Sequence, residues 1–155
     1  MIELKDYPQM IFAAVRGVGP YMETAGPPFG RIMAWAGPAG IMNPRTKVLG
    51  LSWDSPAEVP ADRLRYDAAV TIDGPMALPE GINVGALPAL TWATMTHAGS
   101  YARITETFGR LMDELARRRD LIAVGLCAME DYLSGPGTPE ADLRTVVGFP
   151  VVRVG

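Results

Sequence analysis

Apolar positions along this chain alternate between two periods. Ile104, Phe108, Leu111, Met112 and Leu115 recur at helical spacing, with Arg103, Glu106, Arg110, Asp113 and Arg117 between them. That stripe predicts an amphipathic helix laid on a core, with Ser100 standing where an N-cap belongs. Phe29, Ile32, Met33 and Ala36 make the same stripe earlier. There Pro27-Pro28 favours a late start and Gly37-Pro38 a stop, so the first helix is expected to be the shorter. The segments 10–16, 47–53, 65–72, 90–97, 123–132 and 145–152 are instead alternating, or rich in β-branched and aromatic residues, and predict strands. The stretch 73–88 reads as a joint with a short strand around 82–84.

The pattern also repeats. Gly19-Pro20-Tyr21 matches Gly99-Ser100-Tyr101, and Phe29-Gly30-Arg31-Ile32-Met33 matches Phe108-Gly109-Arg110-Leu111-Met112. Asp54-Ser55-Pro56 through Pro60 to Leu64-Arg65 matches Ser134-Gly135-Pro136 through Pro139 to Leu143-Arg144. The matches keep their order at an offset of 79 or 80 residues. Two copies are too few for a solenoid, which needs at least about three. The expected fold is therefore α+β: a duplicated strand–helix–strand–strand unit, with two helices on one side of a curved, mainly antiparallel sheet. One domain over 1–155 is expected, built of repeats at about 1–75 and 83–155.

Composition narrows the classes. With 155 residues, 48% hydrophobic and 20% charged, the chain has the material for a packed core. A net charge of −3 leaves no basic footprint for direct nucleic-acid binding. The run Arg117-Arg118-Arg119 falls at a helix end, where the dipole favours cations. Cys127 is the only cysteine, so no internal disulfide forms. The N-terminus does not read as a signal peptide, and no run reaches the roughly 18 apolar residues of a membrane span. A cytoplasmic protein without membrane attachment is expected.

The ordered motifs resemble those of the GyrI-like small-molecule-binding family. They are Val15-Arg16-Gly17-Val18-Gly19-Pro20-Tyr21, then Gly50-Leu51-Ser52-Trp53-Asp54-Ser55-Pro56 with Leu64-Arg65-Tyr66-Asp67. The second set is Leu87-Pro88 with His97-Ala98-Gly99-Ser100-Tyr101, then Glu130-Asp131-Tyr132-Leu133 with Phe149-Pro150-Val151. The resemblance spans essentially the whole chain. It implies a ligand groove between the two repeats, as in the effector-binding half of some AraC-type and MerR-type multidrug regulators. It also implies stand-alone relatives of the gyrase-inhibitor kind, some of which hydrolyse strained cyclopropane-containing toxins. The length leaves no room for a helix-turn-helix module, so any effect on DNA is expected to run through a partner.

Glu130 is the sharpest candidate. Strand alternation places Ala128, Glu130 and Tyr132 on one face, and Leu49, Leu51 and Trp53 are taken as the matching positions of the first copy. Glu130 then stands where its twin is leucine. A buried carboxylate is costly unless paired, and a cationic lipophilic ligand would pair it, the role that the resemblance implies. A glutamate facing water at a strand end is the plainer alternative. Trp53, Trp92 and Tyr132 are candidate aromatic walls, or ordinary core. Leu51, Tyr21, Tyr101, Met33 and Met112 complete the ligand-binding set, although methionines also fill any core gap. Asp54, Arg65 and Asp67 read as turn and salt-bridge residues. His97, the single histidine, reads as structural, because no metal cluster or nucleophile elbow accompanies it. No cofactor is expected.

Three functions stay open. The first is a stand-alone binder that sequesters or senses bulky, hydrophobic, often cationic compounds. The second is a hydrolase, with Glu130 as general base toward water on a strained ring. The third is a protein–protein modulator of the gyrase-inhibitor kind. A protein partner or a homodimer is left open with no residue assigned.

Overall fold

A computed structural model describes residues 1–155. In chain order the elements are β1 (Glu3–Tyr7), β2 (Met10–Val18), α1 (Tyr21–Thr24), α2 (Gly26–Ala36), β3 (Val48–Ser52), β4 (Arg65–Ile72) and β5 (Asn83–Leu87). They continue with β6 (Leu90–Ala98), α3 (Ile104–Arg117), β7 (Leu121–Ala123), β8 (Ala128–Tyr132) and β9 (Arg144–Arg153). Contacts divide the chain into two compact units. Gln9–Pro88 is one, and Met1–Pro8 with Ala89–Gly155 is the other. The class is α+β, all strand pairs within the units are antiparallel, and each unit carries a helix on one face of its sheet.

In the Gln9–Pro88 unit the strands run β3-β4-β2-β5. Ala13, Tyr66, Ala68 and Val70 point to the helix side and pack with Ile32 and Ala36 of α2. In the other unit the order is β1-β6-β9-β8, with β7 also on β9. Ala93, Val147 and Val151 there meet Ile104 and Leu111 of α3. Removing one such leucine or isoleucine from water contributes roughly 1.5–3 kcal/mol, so each cluster is a substantial part of its unit's stability.

The registers repeat with the sequence. β5 sets Val84 opposite Ala13 and Leu87 opposite Met10, while β1 sets Leu4 opposite Ala93 and Tyr7 opposite Leu90. β1 and β5 are thus twins, and each pairs with the β-strand that leads the other copy's motif. The short strand expected at 82–84 is found at Asn83–Leu87. β1 is masked in the sequence by Glu3, Lys5 and Asp6, charges that suit an edge strand.

Two boundaries differ from expectation, each for a local reason. α2 begins at Gly26, so Pro27 and Pro28 sit in its first turn, where backbone N–H groups have no intrahelical partner to lose. It remains the shorter helix, at 11 residues against 14 for α3. The segment 123–132 is split into β7 and β8 rather than one strand. Pro150 of β9 lies beside the break and has no N–H to donate, although its carbonyl still accepts from Val124.

Gly85 of β5 passes close over Phe12: a Cβ at Gly85 would stand 2.4 Å from the buried Phe12 ring. Gly85→Val is therefore expected to cost about 1–3 kcal/mol by overpacking, read as a lowered Tm. Adding Phe12→Leu should restore part of it, whereas the loss should persist if poor strand entropy at position 85 were the cause.

Candidate functional site

The register of β8 on β9 decides which groups share a face. Glu130 lies opposite Val147 and Tyr132 opposite Thr145, so both side chains stand on the α3 side of the sheet. In the first copy β3 sets Gly50 opposite Ala68 and Ser52 opposite Tyr66. The structural twin of Glu130 is therefore Gly50, one place from the leucine that simple alternation suggested, and the twin of Leu51 is Asp131. Glu130 and Tyr132 are both half-buried. The Tyr132 hydroxyl donates to Oε2 of Glu130 at 2.7 Å. Tyr101, at the turn into α3, meets the Tyr132 ring edge-on, with centroids 5.3 Å apart. Its own hydroxyl has no hydrogen bond, and the residue is 39% exposed. Burial, followed by the charge of Glu130, pushes the Tyr101 phenol above its ordinary value. Phe108 on α3 and Phe149 on β9 add a second edge-on pair at 5.8 Å.

The twin unit builds the same place differently. Tyr66 lies on β4 and Ser52 on β3, whereas Tyr132 lies on β8 opposite Thr145 of β9. A small residue and a tyrosine have changed sides of one cross-strand pair. Tyr66 meets Tyr21 at 6.0 Å and Phe29 at 5.9 Å, so its ring is core, 1% exposed. Tyr21, the twin of Tyr101, is locked: its hydroxyl donates to the Asp54 carbonyl at 2.6 Å and accepts from the Asp54 N–H at 3.0 Å. Met33 packs into this cluster.

Some candidates do not join Glu130. Trp92 pairs across from Pro150 and Lys5, on the face of its sheet away from α3, and is fully buried. There it meets Tyr7 edge-on at 6.2 Å, and Tyr7 donates to the buried Asp131 at 2.8 Å. Register thus makes Trp92 core, not a wall beside Glu130. Met112, counted in the apolar stripe, is 57% exposed, unlike its twin Met33. Leu51 is fully buried on the face of its sheet away from α2. Trp53 shares that face and donates its indole N–H to Asp67 at 2.8 Å, where Arg16 also binds in a fork at 2.9 and 3.0 Å. Asp67, Asp54 and Arg65 have the salt-bridge roles expected of them, Arg65 gripping Asp54 at 2.8 and 2.9 Å. His97 is buried, one ring nitrogen 2.7 Å from the Ser100 carbonyl and the other 2.7 Å from Thr107 Oγ1. The first contact requires N–H on Nε2; the other nitrogen faces the Thr107 hydroxyl, whose oxygen also accepts from Arg110 at 3.0 Å.

Tyr66, Gly50 and Thr145 did not stand out in the sequence. The signal that finds them is the exchange of small and large residues between copies, which is visible only once the offset is aligned strand by strand.

Two outcomes check this geometry. Tyr21→Phe is expected to lower stability by about 1 kcal/mol, because the Asp54 backbone loses its partner. Tyr101→Phe should leave stability unchanged; equal losses would contradict the asymmetry. Separately, Arg65 hydrogen-bonds Asp54 and holds its carboxyl down to about 2, against an ordinary 3.8. A depressed folded value means stability present above about pH 4 and lost as pH falls toward 2. Asp54→Asn should therefore lower Tm at pH 7, and the deficit should close between pH 4 and 2.

The chain is similar to known proteins in both sequence and structure. A DNA gyrase inhibitor 2 of Dickeya dadantii (strain 3937) is 29% identical over 122 residues, covering 77% of this chain and 76% of the relative. A DNA gyrase inhibitor of Pectobacterium carotovorum is 33% identical over 114 residues, covering 69% of this chain and 71% of the relative. Among solved structures, the EcmrR C-terminal domain superposes with a TM-score of 0.76 at 21% identity, covering 99% of this chain and 98% of that one. SAV2435 bound to tetraphenylphosphonium gives 0.68 at 14%, covering 98% and 94%. A Listeria innocua hydrolase gives 0.64 at 15%, covering 97% and 91%. These likenesses at low identity speak for the fold. The family model for the GyrI-like small molecule binding domain matches residues 1–152, and this chain belongs to that family.

Proposed function

We propose that this protein binds bulky lipophilic cations at the α3 face of β8. One observation carries the reading: the half-buried Glu130 carboxylate sits in an aromatic frame, bonded by Tyr132 at 2.7 Å, with half-exposed Tyr101 edge-on to that ring. A carboxylate with restricted hydration attracts a cation more strongly than a solvated one. Aromatic faces add cation–π attraction and contact area. The tyrosine hydroxyl gives the carboxylate a partner before any ligand arrives, which lowers the cost of holding the charge there. The structural neighbour bound to tetraphenylphosphonium supports this ligand class.

The neighbour described as a hydrolase keeps a second reading in play, in which Glu130 activates water against a strained ring. Glu130 serves both readings, so recovery of the ligand separates them.

Tetraphenylphosphonium is expected to raise the Tm of the wild type by several degrees. It should raise that of Glu130→Gln far less, with the compound recovered unchanged. An equal shift in both proteins would remove Glu130 from the site. A cyclopropane-containing toxin recovered with one added water, only after wild type, would establish the hydrolase instead.

A further inference from the structure

The two copies place nearly the same backbone around one charge cluster and then fill it differently. In the Gln9–Pro88 unit, Gly19 N–H bonds Leu64 O at 2.8 Å and Trp53 N–H bonds Arg65 O at 3.1 Å. In the other, Gly99 N–H bonds Leu143 O at 2.9 Å and Leu133 N–H bonds Arg144 O at 3.1 Å. Arg65 N–H reaches the Asp54 carboxylate at 2.9 Å, and Arg144 N–H reaches Ser134 Oγ at 2.8 Å. The frames are the same, with serine at 134 where its twin is aspartate.

That substitution changes the charge balance. In the first copy two acids, Asp54 and Asp67, meet two arginines, Arg65 and Arg16, and Trp53 closes over Asp67. The twins of Arg16, Asp67, Trp53 and Asp54 are Thr96, Val146, Leu133 and Ser134. Arg144 therefore has no carboxylate. Its guanidinium donates only to the carbonyls of Ala141 at 3.1 Å and Leu143 at 2.8 Å. Other charges nearby are accounted for: Asp131 is buried and holds Tyr7, and Arg103 is paired with Glu106. Glu140 and Asp142, on the turn before Arg144, make no bond to it. Leu133, the twin of Trp53, is left 55% exposed beside this cation.

We infer that Arg144, Ser134 and Leu133 form a second binding site, separate from Glu130, for a small amphipathic carboxylic acid. The arrangement around Asp54 shows how the acid is held: two guanidinium N–H groups and one backbone N–H converge on a carboxylate. In the second copy Arg144 turns from the carbonyls to the ligand, Ser134 Oγ donates to it, and Leu133 covers its apolar part. A planar guanidinium fork matches a carboxylate in both charge and shape.

The test is an NMR titration of ¹⁵N-labelled full chain with 4-phenylbutanoate, 4-phenylbutanol and acetate. Saturable shifts at the amides of Leu133, Ser134 and Arg144 are expected with 4-phenylbutanoate. The alcohol should produce none and acetate markedly weaker ones. Arg144→Gln should weaken binding about fivefold, the range of an exposed ion pair. Ser134→Asp supplies the carboxylate internally, so it should abolish binding and raise Tm by about 2 °C. The same experiment with Glu130→Gln should leave the titration unchanged, which keeps this site's failure distinct from that of the cation site. No saturable shift in the wild type, or equal binding by Arg144→Gln, would overturn the site. Equal binding of acetate and 4-phenylbutanoate would remove Leu133 from it.

Discussion

Antiparallel register, set by backbone hydrogen bonds, carries the chemistry of this fold. With Glu130 opposite Val147, every even-numbered side chain of β8 turns toward α3 and every odd one turns away. A slip of one residue would bury Glu130 with Trp92 and turn Asp131 toward α3. The register is held because a slip in either direction would also take Met129, fully buried on the face away from α3, out of its packing and turn it to the α3 side. Apolar burial thus selects the face on which the carboxylate appears.

Around that constraint the duplicated unit works as a frame that tolerates different fillings. Turn hydrogen bonds recur almost unchanged between copies, because they involve backbone groups that each copy must satisfy. Side chains are freer. One copy closes its aromatic cluster with Tyr66 and locks Tyr21 onto Asp54; the other moves the tyrosine to β8 and leaves the Tyr101 hydroxyl without a bond. The closed copy is stabilised by its contacts, and the other leaves Tyr101 39% exposed.

The exchange of leading strands follows from the same logic. β1 and β5 occupy twin positions, and each completes the sheet of the other copy's unit. Neither copy taken alone supplies its own edge strand. Removing residues 1–8 would strip β6 of a partner although they precede it by more than eighty positions, so local sequence conveys little about what β1 does.

Much of this protein was legible in order of residues alone. Helical spacing from Ile104 to Leu115, alternation in the strands and the repeat at 79 or 80 residues follow from short-range geometry, and they specified the α+β class and both helices. Glu130 and Tyr132 sharing a face followed from a period of two. What lay beyond it was which strands pair and in which register, since hydrogen bonds between distant segments leave no periodic mark. Hence Gly50 rather than Leu51 proved the twin of Glu130, Trp92 proved to face away from it, and Pro150 broke a strand on the neighbouring β7 and β8. Local patterning determined the elements and their faces; only tertiary pairing, driven by burial of the apolar faces, decided which side chains meet.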